Sequence, residues 1–193
     1  MPATTAIAEP LSRVHLLSLL IPETTLRDDA RMLVRQALRE ALGKLLATGD
    51  QPLSLISQPG QPIRLAPPWA AIGVSVSHES GRSLAAINLN GPVGIDLMRV
   101  ANAPADFHAV SRDYLGPDAT ARLCALPDEQ RPFAFAQAWT GFEARMKCLA
   151  LELSEWTPQF DAQLRTCSVV ELDMPAGWAA ALAITGAAVN PVF

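Results

Sequence analysis

The sequence lacks the cysteine pattern that would staple a small secreted domain. Cys124, Cys148 and Cys167 are an odd number with no CxxC pair. They read as reduced, mostly buried thiols of a cytoplasmic protein, not as a disulfide or zinc framework. Long hydrophobic runs are also missing, since the stretches from Leu16 to Pro22 and from Trp178 to Val189 are too short to span a bilayer. Residues 1–12 are rich in Ala, Thr and Pro and lack the layout of a signal peptide, so a loose leader is expected there. Positive charge is scarce. A net charge of −4 argues against general nucleic-acid binding, but leaves room for a local basic patch facing one phosphorylated ligand. Only 18% of residues are charged and 50% are apolar, which provides for a substantial core and disfavours disorder. A length of 193 residues suits one large domain or two small, closely packed ones.

The apolar run from Val14 to Ile21 predicts a buried strand ending at Pro22. Thr25 is positioned to cap a helix reaching about Leu46, with Asp28 and Asp29 in its first turn. Ala30, Leu33, Val34, Ala37, Leu38, Ala41 and Leu42 form its apolar stripe. Its other side carries Arg27, Arg31, Arg35 and Arg39, each four residues from the last. Such a row is either a solvated surface or a phosphate-facing one, because guanidinium forks suit phosphate oxygens. Residues 47–70 read as loop with a short strand at Leu53 to Ile56. Ala71 to His78, Ser83 to Leu89 and Val93 to Val100 are expected to form an antiparallel meander with turns at Glu79 to Arg82 and Asn90-Gly91. Asp106 to Val110 and Pro117 to Leu126 look helical. After Leu153 a Trp/Pro loop and two strands are expected, Leu164 to Leu172 and Trp178 to Thr185. Each half therefore offers a long helix followed by strands, an α+β order suggesting two similar subdomains side by side, residues 1–90 and 91–193.

Two runs carry the chemistry. Val93-Gly94-Ile95-Asp96-Leu97 places one carboxylate inside a β-type run, where an unpaired buried charge costs at least several kcal/mol. Trp139, Glu143 and Lys147 recur at four-residue spacing on one face of a helical pattern containing Phe135, Ala138, Phe142, Met146 and Leu149. A bare Glu–Lys pair at that spacing is a common helix-surface ion pair worth about 0.2–0.5 kcal/mol.

Gly-Ile-Asp followed some 45 residues later by Trp-x-x-x-Glu-Ala-x-x-Lys resembles the 4′-phosphopantetheinyl transferases, specifically the larger monomeric kind that activates peptide and polyketide synthases. The resemblance covers roughly residues 26–185. It implies a pseudo-twofold fold and transfer of phosphopantetheine from coenzyme A to a serine of an acyl or peptidyl carrier protein. It also implies that Asp96 and Glu143 hold Mg²⁺ on the pyrophosphate and that Lys147 meets the same phosphates; Glu143 is then the candidate to receive the serine proton, directly or through a metal-bound water. Arg31, less securely Arg35, would meet the nucleotide side of coenzyme A. Ser77 and His78 resemble the family's phosphate-contacting Ser-His segment, with one extra residue before Gly81. A monomer is implied, because both half-sites lie in one chain.

The sequence departs from the family at three places. Gln61 stands where a phosphate-binding Lys is usual, Met98 where many relatives have a second acid, and Phe142 where a Lys often precedes the Glu. These departures keep a second reading open, a non-catalytic protein that binds coenzyme A or a carrier protein. A third reading, an unrelated Mg²⁺-dependent phosphodiester hydrolase, lacks a third acid or a His cluster.

Overall fold

The computed structural model describes residues 13–48, 53–57 and 62–185. Gln61 and the expected leader over residues 1–12 lie outside the described residues. Among the described residues, eight strands and five α-helices follow one another in the order β1 (Val14–Leu20), α1 (Arg27–Leu45), β2 (Leu55–Ile56), β3 (Arg64–Leu65), β4 (Gly73–Glu79), β5 (Arg82–Asn88), β6 (Val93–Arg99), α2 (Phe107–Val110), α3 (Pro117–Cys124), α4 (Arg131–Leu149), α5 (Pro158–Leu164), β7 (Cys167–Glu171) and β8 (Trp178–Thr185). The strands form two antiparallel sheets, β1-β5-β4-β3-β2 and β6-β8-β7, so the α+β class expected from the sequence is what the chain adopts.

Each sheet carries one long helix. In α1 the buried residues Ala30, Val34, Leu38 and Leu42 recur every four positions. Val34, Leu38 and Leu42 pack on Leu65, Val74, Ala85 and Ile87 of the first sheet and on Ile72 just before β4. Burying side chains of that size stabilises by about 1.5–3 kcal/mol each. The helix begins one residue later than expected. Leu26 is its N-cap and makes no side-chain cap, while Thr25 closes a turn back to Pro22 through its backbone. Helix α4 is buried on most of its circumference, including Phe135, Ala136, Thr140, Phe142, Ala144 and Cys148. Pro132 opens it, where its missing N–H is harmless, and Ala150 in a left-handed conformation (φ 54°) ends it. Ala144 and Cys148 pack on Cys167, Ala181 and Ala183 of the second sheet. Burial raises the pKa of both Cys148 and Cys167, whereas Cys124 is exposed.

Two expectations change. The meander stops at β5: β6 leaves for the second sheet and pairs with β8 from Val93↔Ile184 to Arg99↔Trp178. Pro92 has no N–H to donate into a ladder, and the Asn88 side-chain amide donates to the Pro92 carbonyl at 3.1 Å, so the chain turns away. The expected strand over Leu164 to Leu172 is instead the end of α5 followed by β7. The signal for α5 was Thr157-Pro158: the Thr157 hydroxyl caps the helix by accepting from the Phe160 N–H at 3.1 Å, and Pro158 occupies the first turn.

The two sheets meet along β4 and β6 without a backbone ladder between them. The Ser75 hydroxyl oxygen accepts from the Ile95 N–H at 3.1 Å, and that of Ser77 accepts from the Leu97 N–H at 3.2 Å. On its other side β6 lies hard against α4. A methyl group built on Gly94 would collide with the Ala144 carbonyl and come within 2.6 Å of the Cys148 amide nitrogen. Both neighbours are helix backbone and cannot swing aside. Gly94→Ala is therefore expected to destabilise the fold by about 3 kcal/mol, at the upper end for overpacking. Denaturant unfolding measures this, and a change below 1 kcal/mol, on the order of a well-tolerated core swap, would contradict the close approach.

Candidate active site

Asp96, Glu143 and Lys147 converge. Asp96 sits mid-strand in β6 and is buried, while Glu143 and Lys147 lie one turn apart on α4. The Lys147 ammonium donates to Asp96 Oδ1 at 2.6 Å and to the Ile95 carbonyl at 3.2 Å, and stands 3.8 Å from Glu143 Oε2. Asp96 Oδ1 also accepts from the Ser77 hydroxyl at 2.8 Å. These groups line an open cavity of about 370 Å³ together with Arg27, His78, Glu79, Met98, Asn102 and Trp139.

Burial raises the pKa of Glu143, and the neighbouring Asp96 carboxylate raises it further. Lys147 and the indole of Trp139 pull the other way. Trp139 Nε1–H donates to Glu143 Oε1 at 3.1 Å. The indole is held by three rings: Phe135 is stacked at 5.8 Å, Tyr114 meets it edge-on at 5.9 Å, and Phe142 is tilted at 5.5 Å. Trp139 thus fixes one oxygen of Glu143 and leaves the other facing Lys147.

Asp96 lies near enough to raise the proton affinity of Glu143, and such a pair of carboxylates suits a divalent cation that reaches them with a phosphate ligand. Among the described residues no group of three or more His, Cys, Asp or Glu side chains is placed to hold a metal by itself. A pair of protein carboxylates is nevertheless the donor set Mg²⁺ commonly uses beside substrate phosphates and water.

His78 is near the same cavity, with Nδ1 2.8 Å from the Ser83 hydroxyl. Its pKa is lowered from 6.5 to about 4, first by burial and then by the positive charges of Arg31, Lys147, Arg27 and Arg35. Three members of the arginine row thus lie near enough to disfavour a charge on His78, although they stand at different places. Arg27 lines the cavity. Arg31 pairs with Asp28 at 3.1 Å, and Arg35 donates to the Ser57 hydroxyl at 2.8 Å. Ser77 is buried, with its hydroxyl engaged by Asp96 and the Leu97 amide.

Sequence reasoning placed Arg27 in the arginine row without singling it out, and passed over Glu79 and Asn102 as site residues. Arg27 opens the arginine row. Glu79 immediately follows the Ser-His pair, and its Oε2 accepts from Asn102 Nδ2 at 3.1 Å. Met98 lines the cavity edge and packs with Phe135 and Ala179. Phe142 points away from the cavity, into contact with Trp139 and Phe160.

Residues 92–181 match the family model of the 4′-phosphopantetheinyl transferase superfamily. That span contains Asp96, Glu143 and Lys147, while Arg31, Ser77 and His78 fall outside it. A particular relative is the 4′-phosphopantetheinyl transferase HetI of Nostoc sp. (strain PCC 7120), 29% identical over an alignment of 129 residues that covers 62% of this chain and 54% of that protein. The chain thus spans about half the length of this curated relative. No helix among the described residues is long and apolar enough to cross a membrane.

His78 supplies a pH test. Unfolded it binds a proton near 6.5 and folded only near 4, so between those values the unfolded chain holds more protons. Stability therefore falls as pH drops from about 6.5 toward 4. Glu143, whose proton is held more tightly in the fold, acts in the opposite sense. His78→Gln should flatten the slope of Tm against pH in that window, and an unaltered slope would rule out a neutral, partly buried imidazole.

Proposed function

We propose that the protein is a Mg²⁺-dependent 4′-phosphopantetheinyl transferase of the larger monomeric type, acting on an acyl or peptidyl carrier protein with coenzyme A as donor. The observation that carries this reading is the meeting of Asp96 from β6 with Glu143 and Lys147 from α4, inside the segment that matches the superfamily. The carrier serine oxygen bonds to the β-phosphorus of coenzyme A. The bond from that phosphorus to the bridging oxygen breaks, and adenosine 3′,5′-bisphosphate leaves with the electron pair.

Glu143 takes the serine proton. The Trp139 indole orients it by donating to one of its oxygens. Lys147 offsets charge growing on the leaving phosphate. Asp96, anchored by Ser77, shares with Glu143 the task of holding a Mg²⁺ ion, which would supply further charge neutralisation at the pyrophosphate. In the tautomer where Ser83 donates to Nδ1, the neutral His78 offers its Nε2–H to a phosphate oxygen. Arg27, Arg31 and Arg35 give the nucleotide side its positive potential. Residues 1–90 then serve as the nucleotide half and residues 91–193 as the metal and catalytic half. A groove beside Lys147, lined by Ile63, Val74, Val76 and Leu151 with one hydroxyl from Ser75, suits the amide-and-alkyl arm.

Incubating the protein with coenzyme A, Mg²⁺ and a set of apo-carrier proteins should add the mass of one phosphopantetheine arm to at least one carrier. No gain on any carrier, while a known transferase works in parallel, rejects the reading. Coenzyme A binding without turnover would favour the non-catalytic binder. Glu143→Gln should lower kcat by about 10²-fold or more while coenzyme A still binds, as expected for loss of a general base. Arg31→Ala should raise KM for coenzyme A about tenfold with kcat little changed, as for loss of a charged hydrogen bond. Steady-state kinetics separate the two effects.

A further inference from the structure

Helix α4 has a second functional-looking flank. At 100° per residue, Arg145 projects opposite to the direction shared by Glu143 and Lys147. There it lines a separate cavity of about 380 Å³ with Arg122, Arg165, Tyr114, Phe142 and Trp156. That volume falls within the range typical of small-molecule sites, about 300–1,000 Å³. The buried Nε of Arg145 has no hydrogen-bond partner among the described residues. Burial is the main influence lowering the Arg145 pKa, so its guanidinium is partly stripped of water. Two carboxylates, Asp118 and Asp161, also line the cavity, but Asp161 is already taken by Arg165 Nε at 2.7 Å. Three guanidinium groups against two carboxylates leave a positive excess.

A partly desolvated guanidinium lining a cavity with a positive excess favours an anionic acceptor there. We propose that this cavity binds a small organic oxyanion, a phosphate or carboxylate carried on a flat ring. The oxyanion meets Arg145, flanked by Arg122 and Arg165, and the ring lies against Trp156 and Tyr114. Guanidinium forks favour such oxygens, and aromatic faces favour a planar body over a bare ion. The site stands apart from the cleft holding Asp96 and needs nothing from the transferase reading.

The test follows the Arg145 side-chain Nε–H by ¹⁵N–¹H NMR in the full chain, titrated with phenyl phosphate, inorganic phosphate and chloride at matched ionic strength. A saturable shift is expected with phenyl phosphate, with affinity at least about tenfold above inorganic phosphate (about 1.4 kcal/mol). Calorimetry on Arg145→Gln should show that binding lost, and Arg165→Gln and Arg122→Gln, both exposed, should weaken it in folded protein. Lys147→Ala should leave it unchanged. Equal responses to phosphate and chloride, equal affinity for phenyl and inorganic phosphate, or binding that survives Arg145→Gln yet disappears in Lys147→Ala, each overturns the proposal.

Discussion

Strand β6 and helix α4 touch backbone to backbone, and Gly94 is the residue that permits it. With any side chain there, the strand would have to move away from Ala144 and Cys148. Asp96 lies two residues along the same strand, on the same face of the pleat as Gly94. The separation that Gly94 sets is therefore also the separation between Asp96 and the side chains of α4. Lys147 can reach Asp96 at 2.6 Å because nothing bulky holds the two elements apart. The site is thus a property of packing before it is one of charge.

A second layer of residues fixes the acids once the backbones are close. Ser77 joins the first sheet to the second and presents a proton to Asp96. Trp139, boxed by Tyr114, Phe135 and Phe142, presents a proton to Glu143. One acid is oriented from the first sheet and the other from the aromatic cluster, so neither half of the molecule could preorganise the pair alone. Phe142 takes part in this from behind, by bracing the indole.

Much of this was legible in the sequence. The four-residue spacing of Trp139, Glu143 and Lys147 fixes a shared helix face, and Asp96 stands out as a lone charge in a β-type run. The buried stripe of α1 follows its periodicity at Ala30, Val34, Leu38 and Leu42. What escaped depended on long-range geometry. Alternation of apolar residues locates β6 but does not say which strand it pairs with, and Pro92 with the Asn88 side chain decided that. Gly94 reads only as part of the Gly-Ile-Asp run, and its role shows once α4 is placed beside it. Ser77 reads as part of a phosphate-contacting Ser-His segment, and nothing local shows that its hydroxyl serves Asp96 and the Leu97 amide. The short α5 was overlooked because its cap, Thr157-Pro158, sits inside a stretch that otherwise looks like loop.

The cysteines carry a practical corollary. Thiolates, not thiols, attack alkylating reagents. Cys148 and Cys167 are enclosed between α4 and the second sheet with their ionisation suppressed, and Cys124 is exposed at the last turn of α3. A maleimide dye should therefore attach selectively at Cys124, without engineering. It would report from the helix that carries Arg122, a built-in optical handle on the far flank of the molecule.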